Sequence, residues 1–197
     1  FDRHLEKLRR GPEDGQIQYV SICSPNYLHD AHCRLAMRVG ADVICEKPLV
    51  INPWNLDSLQ EIESETNRKI NTILQLRVHP ELIKLKARLD KEGSTTQHDV
   101  VLSYITSRGN WYHVSWKGQA EKSGGVATNI GIHFFDLLMW LFGSAGDIRL
   151  YHSDQYRMSG FIELERANVS WFLSVNPADL PLAFACWYKN TYRSITV

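Results

Sequence analysis

Ala41-Asp42-Val43-Ile44-Cys45-Glu46-Lys47-Pro48 is the stretch whose reading decides the fold. Its first five residues, set directly behind Gly40, make a short apolar run that reads as a strand buried in a sheet. The strand ends on an acid, an amine and a rigid bend, and the carboxyl edge of an open α/β sheet is where ligands bind. Lysine is the side chain whose charge answers most readily to burial, which suits Lys47 to proton chemistry near neutral pH. A solvated Glu-Lys pair beside a turn proline has the same three letters. The neighbouring segments therefore have to decide between the two.

Working outward toward the N-terminus, Ile17 to Cys23 is a near-continuous apolar run bounded by turn signals. It reads as a strand buried on both faces of a parallel sheet. Before it, a short polar helix runs to Arg10 and is broken by Gly11-Pro12. After it, Ser24-Pro25-Asn26 turns the chain, with Asn26 a candidate N-cap. Leu28, Ala31, Leu35, Ala36 and Val39 then recur at helical spacing until Gly40 stops them. On the other side of Lys47, Asn52-Pro53 supplies an N-cap and a proline for the first helical position. Leu56, Leu59 and Ile62 carry that helix to about Asn67, and Ile70 to Leu76 reads as a third strand. Strands alternating with helices at this spacing predict βαβ units and a parallel sheet with right-handed crossovers.

The pattern changes after Arg77. A helix from Pro80 to Lys91 leads into longer strands at Asp99–Thr106, Ile148–His152, Gly160–Glu165, Asn168–Val175 and Tyr188–Val197, with one strong helix from Ile130 to Leu141 among them. That order predicts an α+β domain, a helix packed on a large open and mostly antiparallel sheet. The fold class is thus α/β, with a parallel-sheet domain over 1–78 followed by the α+β domain over 79–197.

Composition narrows the function. The chain of 197 residues balances 22 basic against 22 acidic side chains, with no dense Lys/Arg run. Nucleic acid or an anionic membrane as main partner needs such a run. No apolar run approaches the ~20 residues of a spanning helix. Cys23, Cys33, Cys45 and Cys186 show no CxxC spacing, so neither a metal site nor a redox pair is predicted. Those in predicted strands and helix read as buried thiols of a protein from a reducing cytosol.

The strong helix of the second half carries the other candidate residues. Gly124-Gly125 precedes it and lets backbone or ligand approach closely. Asn129 and His133 are four apart, stacked on one face near its start. His133 reads either as a core histidine with a partner or as a neutral imidazole placed to act as a base. Asp136, three residues on, either orients that imidazole or is a helix-surface carboxylate. Trp111, Tyr112 and Trp116 crowd one loop with Lys117, which suits a nucleotide-sugar and equally an interface or core.

Together these residues carry a resemblance. Ser24-Pro25-Asn26-Tyr27-Leu28-His29, Gly40, Glu46-Lys47-Pro48, Gly124-Gly125, Asn129 and His133 resemble, in order and spacing, the Gfo/Idh/MocA oxidoreductase family. Within it, the runs Arg108–Gly118 and Thr128–Asp136 are similar to the UDP-N-acetylglucosaminuronate 3-dehydrogenases, which serve bacterial surface-polysaccharide (O-antigen) synthesis. The resemblance implies a partial Rossmann domain, a homo-oligomer (dimer or tetramer) built through the open sheet, and NAD-dependent oxidation of the sugar C3 hydroxyl in the cytoplasm. It implies Lys47 and His133 as catalytic residues, and Ser24, Asn26, His29, Glu46, Lys47, Gln75 and Trp116 around NAD. Lys47, Lys117, Asn129 and His133 fall around the UDP-sugar, and some relatives recycle NADH with 2-oxoglutarate.

Many relatives have an aspartate where Asn129 stands. An amide cannot take up a proton at neutral pH, so here it orients and does not relay. A GxGxxG phosphate loop is absent: Gly11, Gly15 and Gly40 do not form one. In the family that loop precedes the segment where this chain begins, so the expectation is a piece lacking both ends that binds NAD weakly by itself. Other branches acting on a free sugar or inositol, a non-catalytic dinucleotide sensor, and a plain binding domain are the rival readings. Retention of both Lys47 and His133 argues against the sensor.

Overall fold

The computed structural model describes residues 2–93, 95–180 and 191–196. They pack as two units, 1–73 with 121–124, and 74–120 with 125–197. From sequence the change of pattern falls near residue 78; packing changes after Ile73, and four residues upstream of Gly125 return to the first unit.

The first unit contains α1 (Asp2–Arg9), β1 (Tyr19–Ile22), α2 (His29–Arg38), β2 (Asp42–Cys45), α3 (Asn55–Thr66) and β3 (Ile70–Thr72). The strands lie in the order β1-β2-β3, all parallel. Ile22 pairs with Cys45 and Cys45 with Thr72, so the carboxyl ends finish flush. Cys23-Ser24 and Glu46-Lys47 consequently leave the sheet at one edge. Gly40, at φ 91, takes the left-handed conformation that ends α2, and Asn67 at φ 54 does the same for α3. Two side chains then fix the entry to β3: Asp42 Oδ1 accepts from Lys69 N at 2.9 Å, and Glu63 Oε1 accepts from Ile70 N at 2.6 Å.

Ile22, Val43 and Cys45 bury against Cys33, Ala36 and Met37 of α2 and Leu59 and Ile62 of α3. Ser21, Ile44 and Asn71 sit side by side on the opposite face and are exposed, as is Cys23. The expectations of a strand buried on both faces and of a buried Cys23 thiol are therefore corrected. The helices cover one face, and an apolar run of four residues does not say how many faces are covered. Cys186 lies outside the described residues.

Other expectations shift locally. Asn26 does not cap α2; Asn26–Leu28 is a 3-10 turn, and the α-helix begins at His29. Asn52 Oδ1 accepts from Trp54 N at 3.2 Å, one turn ahead of α3. The third strand stops at Thr72 rather than Leu76, because Gln75–Val78 coils into a 3-10 turn and Leu76 packs in the core of the second unit.

That unit continues through α4 (Pro80–Lys91), β4 (His98–Thr106) and α5 (Asn110–Val114) and, after α6 (Ala120–Ser123), which falls in the first unit from Glu121 on, through α7 (Ile132–Phe142), β5 (Ala145–Ser153), β6 (Arg157–Leu164), β7 (Ala167–Ser174) and β8 (Thr191–Thr196). Its sheet order is β5-β6-β7-β4-β8. Only the central β4-β7 pair is parallel; the others are antiparallel, as expected of the α+β half. The strand predicted from Tyr188 is described from Thr191 to Thr196.

The stretch Ala120–Phe142 is, among the described residues, the one helix long and apolar enough to cross a membrane. Sequence reading by apolar runs passed over it. Leu137, Leu138, Leu141 and Phe142 are at most 2% exposed and pack with Val100, Leu102, Val169 and Leu173 of the sheet, the arrangement of a core helix.

Asp179 ties the end of β7 to the start of β6. Although burial pulls its carboxyl upward, Arg157 and Ser174 hold it below its ordinary value, each donating at 2.6 Å. A depressed carboxylate contributes stability above its unfolded pKa and loses it as pH falls through the folded one. Asp179→Asn is therefore expected to flatten the fall in thermal stability below about pH 4, as read by circular dichroism melts.

Candidate active site

In the first unit the flush carboxyl ends of β1 and β2 present Ser24, Glu46 and Lys47, all partly exposed. The Glu46 amide donates to Ile22 O at 2.9 Å, extending the sheet by one bond before the Lys47–Pro48 cis peptide. Ser24 Oγ pairs with His32 Nδ1 at 3.0 Å.

His29 and Asn26 take a different place from the one expected. His29 is fully buried, with Nδ1 2.7 Å from Pro48 O and Nε2 2.8 Å from Ser24 O. A carbonyl only accepts, so both contacts are hydrogen bonds when the ring carries both protons. Burial opposes that charge, but Cys45 beside the ring and the two carbonyls outweigh it and raise the His29 pKa. Cys45 in turn is lowered to about 6, first by a hydrogen bond from Cys33, then by His29; Cys33 is pushed up. His29 has no ring nitrogen left for a cofactor. It clasps the turn after β1 to the segment after β2, one bond from Lys47. Asn26, 5% exposed, likewise donates to Ser123 O at 2.9 Å. His29 through both ring nitrogens, and Asn26 through Nδ2, thus bind backbone carbonyls within the first unit.

Gln75 does not end a strand. It opens the 3-10 turn of the second unit and is exposed.

In the second unit Ala127–Gly131 form a π-helical turn, and the α-helix begins only at Ile132. The simple one-face stacking of Asn129 over His133 is thereby altered, since a π turn holds an extra residue; such turns often mark functional positions. Gly131 permits it. A Cβ there would meet Phe135 Cε2 at 2.7 Å and Leu173 Cδ1 at 2.8 Å. Asn129 is 8% exposed, and the Tyr112 hydroxyl hydrogen-bonds its side chain. His133 is partly exposed. Asp136 is not a free helix-surface carboxylate. Both its oxygens engage Arg77, with Nε to Oδ2 at 2.7 Å. The aromatic loop assembles around a cation: Lys117 Nζ lies 5.4 Å from the Trp111 ring and 5.6 Å from that of Trp116.

Two sequence profiles of one oxidoreductase family match this chain. Its NAD-binding Rossmann fold covers residues 3–73 and its C-terminal alpha/beta domain residues 91–161. The chain belongs to the Gfo/Idh/MocA family. Two crystal structures of a family member, the WlbA (WbpB) dehydrogenase from Thermus thermophilus, are 49% identical to it with a TM-score of 0.92. One is in complex with NAD and alpha-ketoglutarate and covers 99% of this chain; the other, with NAD and UDP-GlcNAcA, covers 100%, and each match takes in 62% of the Thermus chain. The uncharacterized oxidoreductase sll0816 of Synechocystis sp. is 30% identical over 148 residues, 72% of this chain and 38% of its own. D-glucoside 3-dehydrogenase of Escherichia coli is 28% identical over 130 residues, 63% and 35% respectively. This chain thus spans less than two thirds of the length of these relatives.

Sequence reading of this family member missed Arg108, Ser123 as the acceptor for Asn26, and the cluster of His29 with Cys33 and Cys45.

Proposed function

We propose that the protein is an NAD-dependent dehydrogenase that oxidises the C3 hydroxyl of UDP-N-acetylglucosaminuronate to the ketone, for a bacterial surface polysaccharide made in the cytosol. The observation that carries this reading is the 49% identity to the Thermus WlbA dehydrogenase over the whole of this chain.

The residues suit the reaction. Bound NAD supplies the acceptor for the hydride leaving C3. The hydroxyl proton has to leave as well, and His133 takes it as general base. Lys47 donates to the oxygen as negative charge builds there. Asn129, held by Tyr112, orients the hydroxyl, and Lys117 with Trp116 contacts the nucleotide sugar and cofactor. Ser24, Glu46 and Lys47, half-buried polar groups at a carboxyl sheet edge, fit the polar part of a dinucleotide. A keto acid such as 2-oxoglutarate takes the hydride back, becoming a 2-hydroxy acid. The test is NADH absorbance on the full-length protein with UDP-N-acetylglucosaminuronate and NAD. Turnover with the UDP-sugar, and none with free sugars or inositol, supports the reading; the reverse order of substrates overturns it.

We also infer a homo-oligomer, a dimer or tetramer, formed through the open sheet. Ile148 and Leu150 of β5 are 62% and 57% exposed, beside a cavity of about 360 Å³ lined only by apolar side chains such as Met139 and Trp171. An uncovered edge strand of this kind calls for a partner. Leu150→Asp is expected to shift the full-length protein to a smaller species in light scattering, with the melting behaviour of each unit retained.

A further inference from the structure

Arginines in the second unit are almost all answered. Arg77, Arg88, Arg149 and Arg157 each face a carboxylate, and Arg166 donates to Leu89 O at 2.7 Å. Among the described residues nothing answers Arg108, whose Nε is buried without a hydrogen-bond partner. Its guanidinium lies over the Tyr112 ring, 5.7 Å from the centroid. Tyr112 is 5% exposed and bonds Asn129, in the π turn that leads into the helix of His133. The cation thus reaches the catalytic helix through two contacts, both within one unit.

Leaving the buried Nε unpaired is unfavourable, and because Arg108 is only partly buried the rest of its fork stays open to a ligand; an anion that reaches it offsets the cost. Its planar fork matches a carboxylate bidentately. Resting on the function proposed above, we propose that Arg108 receives the uronate carboxylate of the UDP-sugar and so sets the preference for a sugar acid over its neutral hydroxymethyl counterpart. The Tyr112 face holds the guanidinium flat, which reduces the freedom lost on binding.

The test is calorimetric titration of UDP-N-acetylglucosaminuronate and of UDP-N-acetylglucosamine into the NAD-bound full-length protein, as parent, Arg108→Met and Arg108→Gln. The parent is expected to bind the uronate more tightly. Both variants are expected to lose about 10- to 100-fold for the uronate and little for the neutral sugar, with NAD affinity unchanged. Equal losses for both sugars place Arg108 on the diphosphate and overturn the proposal, as does a preference retained in both variants. A parent without any preference overturns the substrate reading itself, and this proposal with it. Arg108→Met with a lowered melting temperature leaves the decision to Arg108→Gln, which keeps a polar group over the Tyr112 ring.

Discussion

Replacing His133 by alanine in the full-length protein is expected to lower kcat for the UDP-sugar by about 10²- to 10⁴-fold, the range for loss of a positioned general base. NAD affinity stays as it was. The reason lies in the charge balance of the step: a hydride cannot leave C3 while the hydroxyl keeps its proton, because the product would be a protonated ketone. Asn129 cannot substitute, since an amide cannot take up a proton at neutral pH. Lys47→Met removes the other half of the charge balance and is expected to fall in the same range, through loss of the donor that meets the developing oxyanion. The two losses should not multiply. Groups that act as one unit on one oxygen are non-additive, so the double variant should be close to the worse single one. Single-turnover NADH formation followed by stopped flow separates this from slowed product release. An undiminished rate in His133→Ala returns that imidazole to packing and moves the base elsewhere.

How much of this was legible in the sequence varies with the range of the contact involved. The strand Ala41–Cys45, found at Asp42–Cys45, and the stop at Gly40 are local events, set by a short apolar run and by one residue that tolerates positive φ. Leu76 misled for a physical reason. Its apolarity serves the core of the second unit and not a strand, and a pattern of hydrophobicity cannot name the core it will join. The π turn adds one residue to the helix start without breaking the apolar stripe, leaving only Gly131 as a trace. His29 and Asn26 were read as cofactor ligands because the family resemblance puts them there, at a strand end and helix start where a dinucleotide is usually held. Their partners are carbonyls, Pro48 at nineteen residues and Ser123 at ninety-seven. Every residue has a carbonyl, so no residue type marks it as the acceptor.

That contact sets the other large effect. His29→Leu keeps the volume but removes both donors, leaving the carbonyls of Pro48 and Ser24 unanswered in a buried site. At about 1–3 kcal/mol for each buried group left unpaired, the variant is expected to lose about 2–6 kcal/mol, measured by urea unfolding of the full-length protein. His29→Gln donates through one amide nitrogen and should recover part of the loss. The pH dependence has a definite sign. Because the folded pKa of His29 is raised, its contribution is complete below the unfolded value of about 6.5 and is lost as pH rises through the folded value. The stability gap between parent and His29→Leu should therefore narrow as pH rises. Since Pro48 follows Lys47, the loosened clasp should also reach the chemistry. A displacement near 1 Å costs on the order of 10²-fold when it moves a group that acts on the reacting atoms. A variant that keeps kcat while losing stability would separate the clasp from the placement of Lys47. A loss of both, restored together by glutamine, would show that the buried imidazole holds the amine in register with the sheet edge.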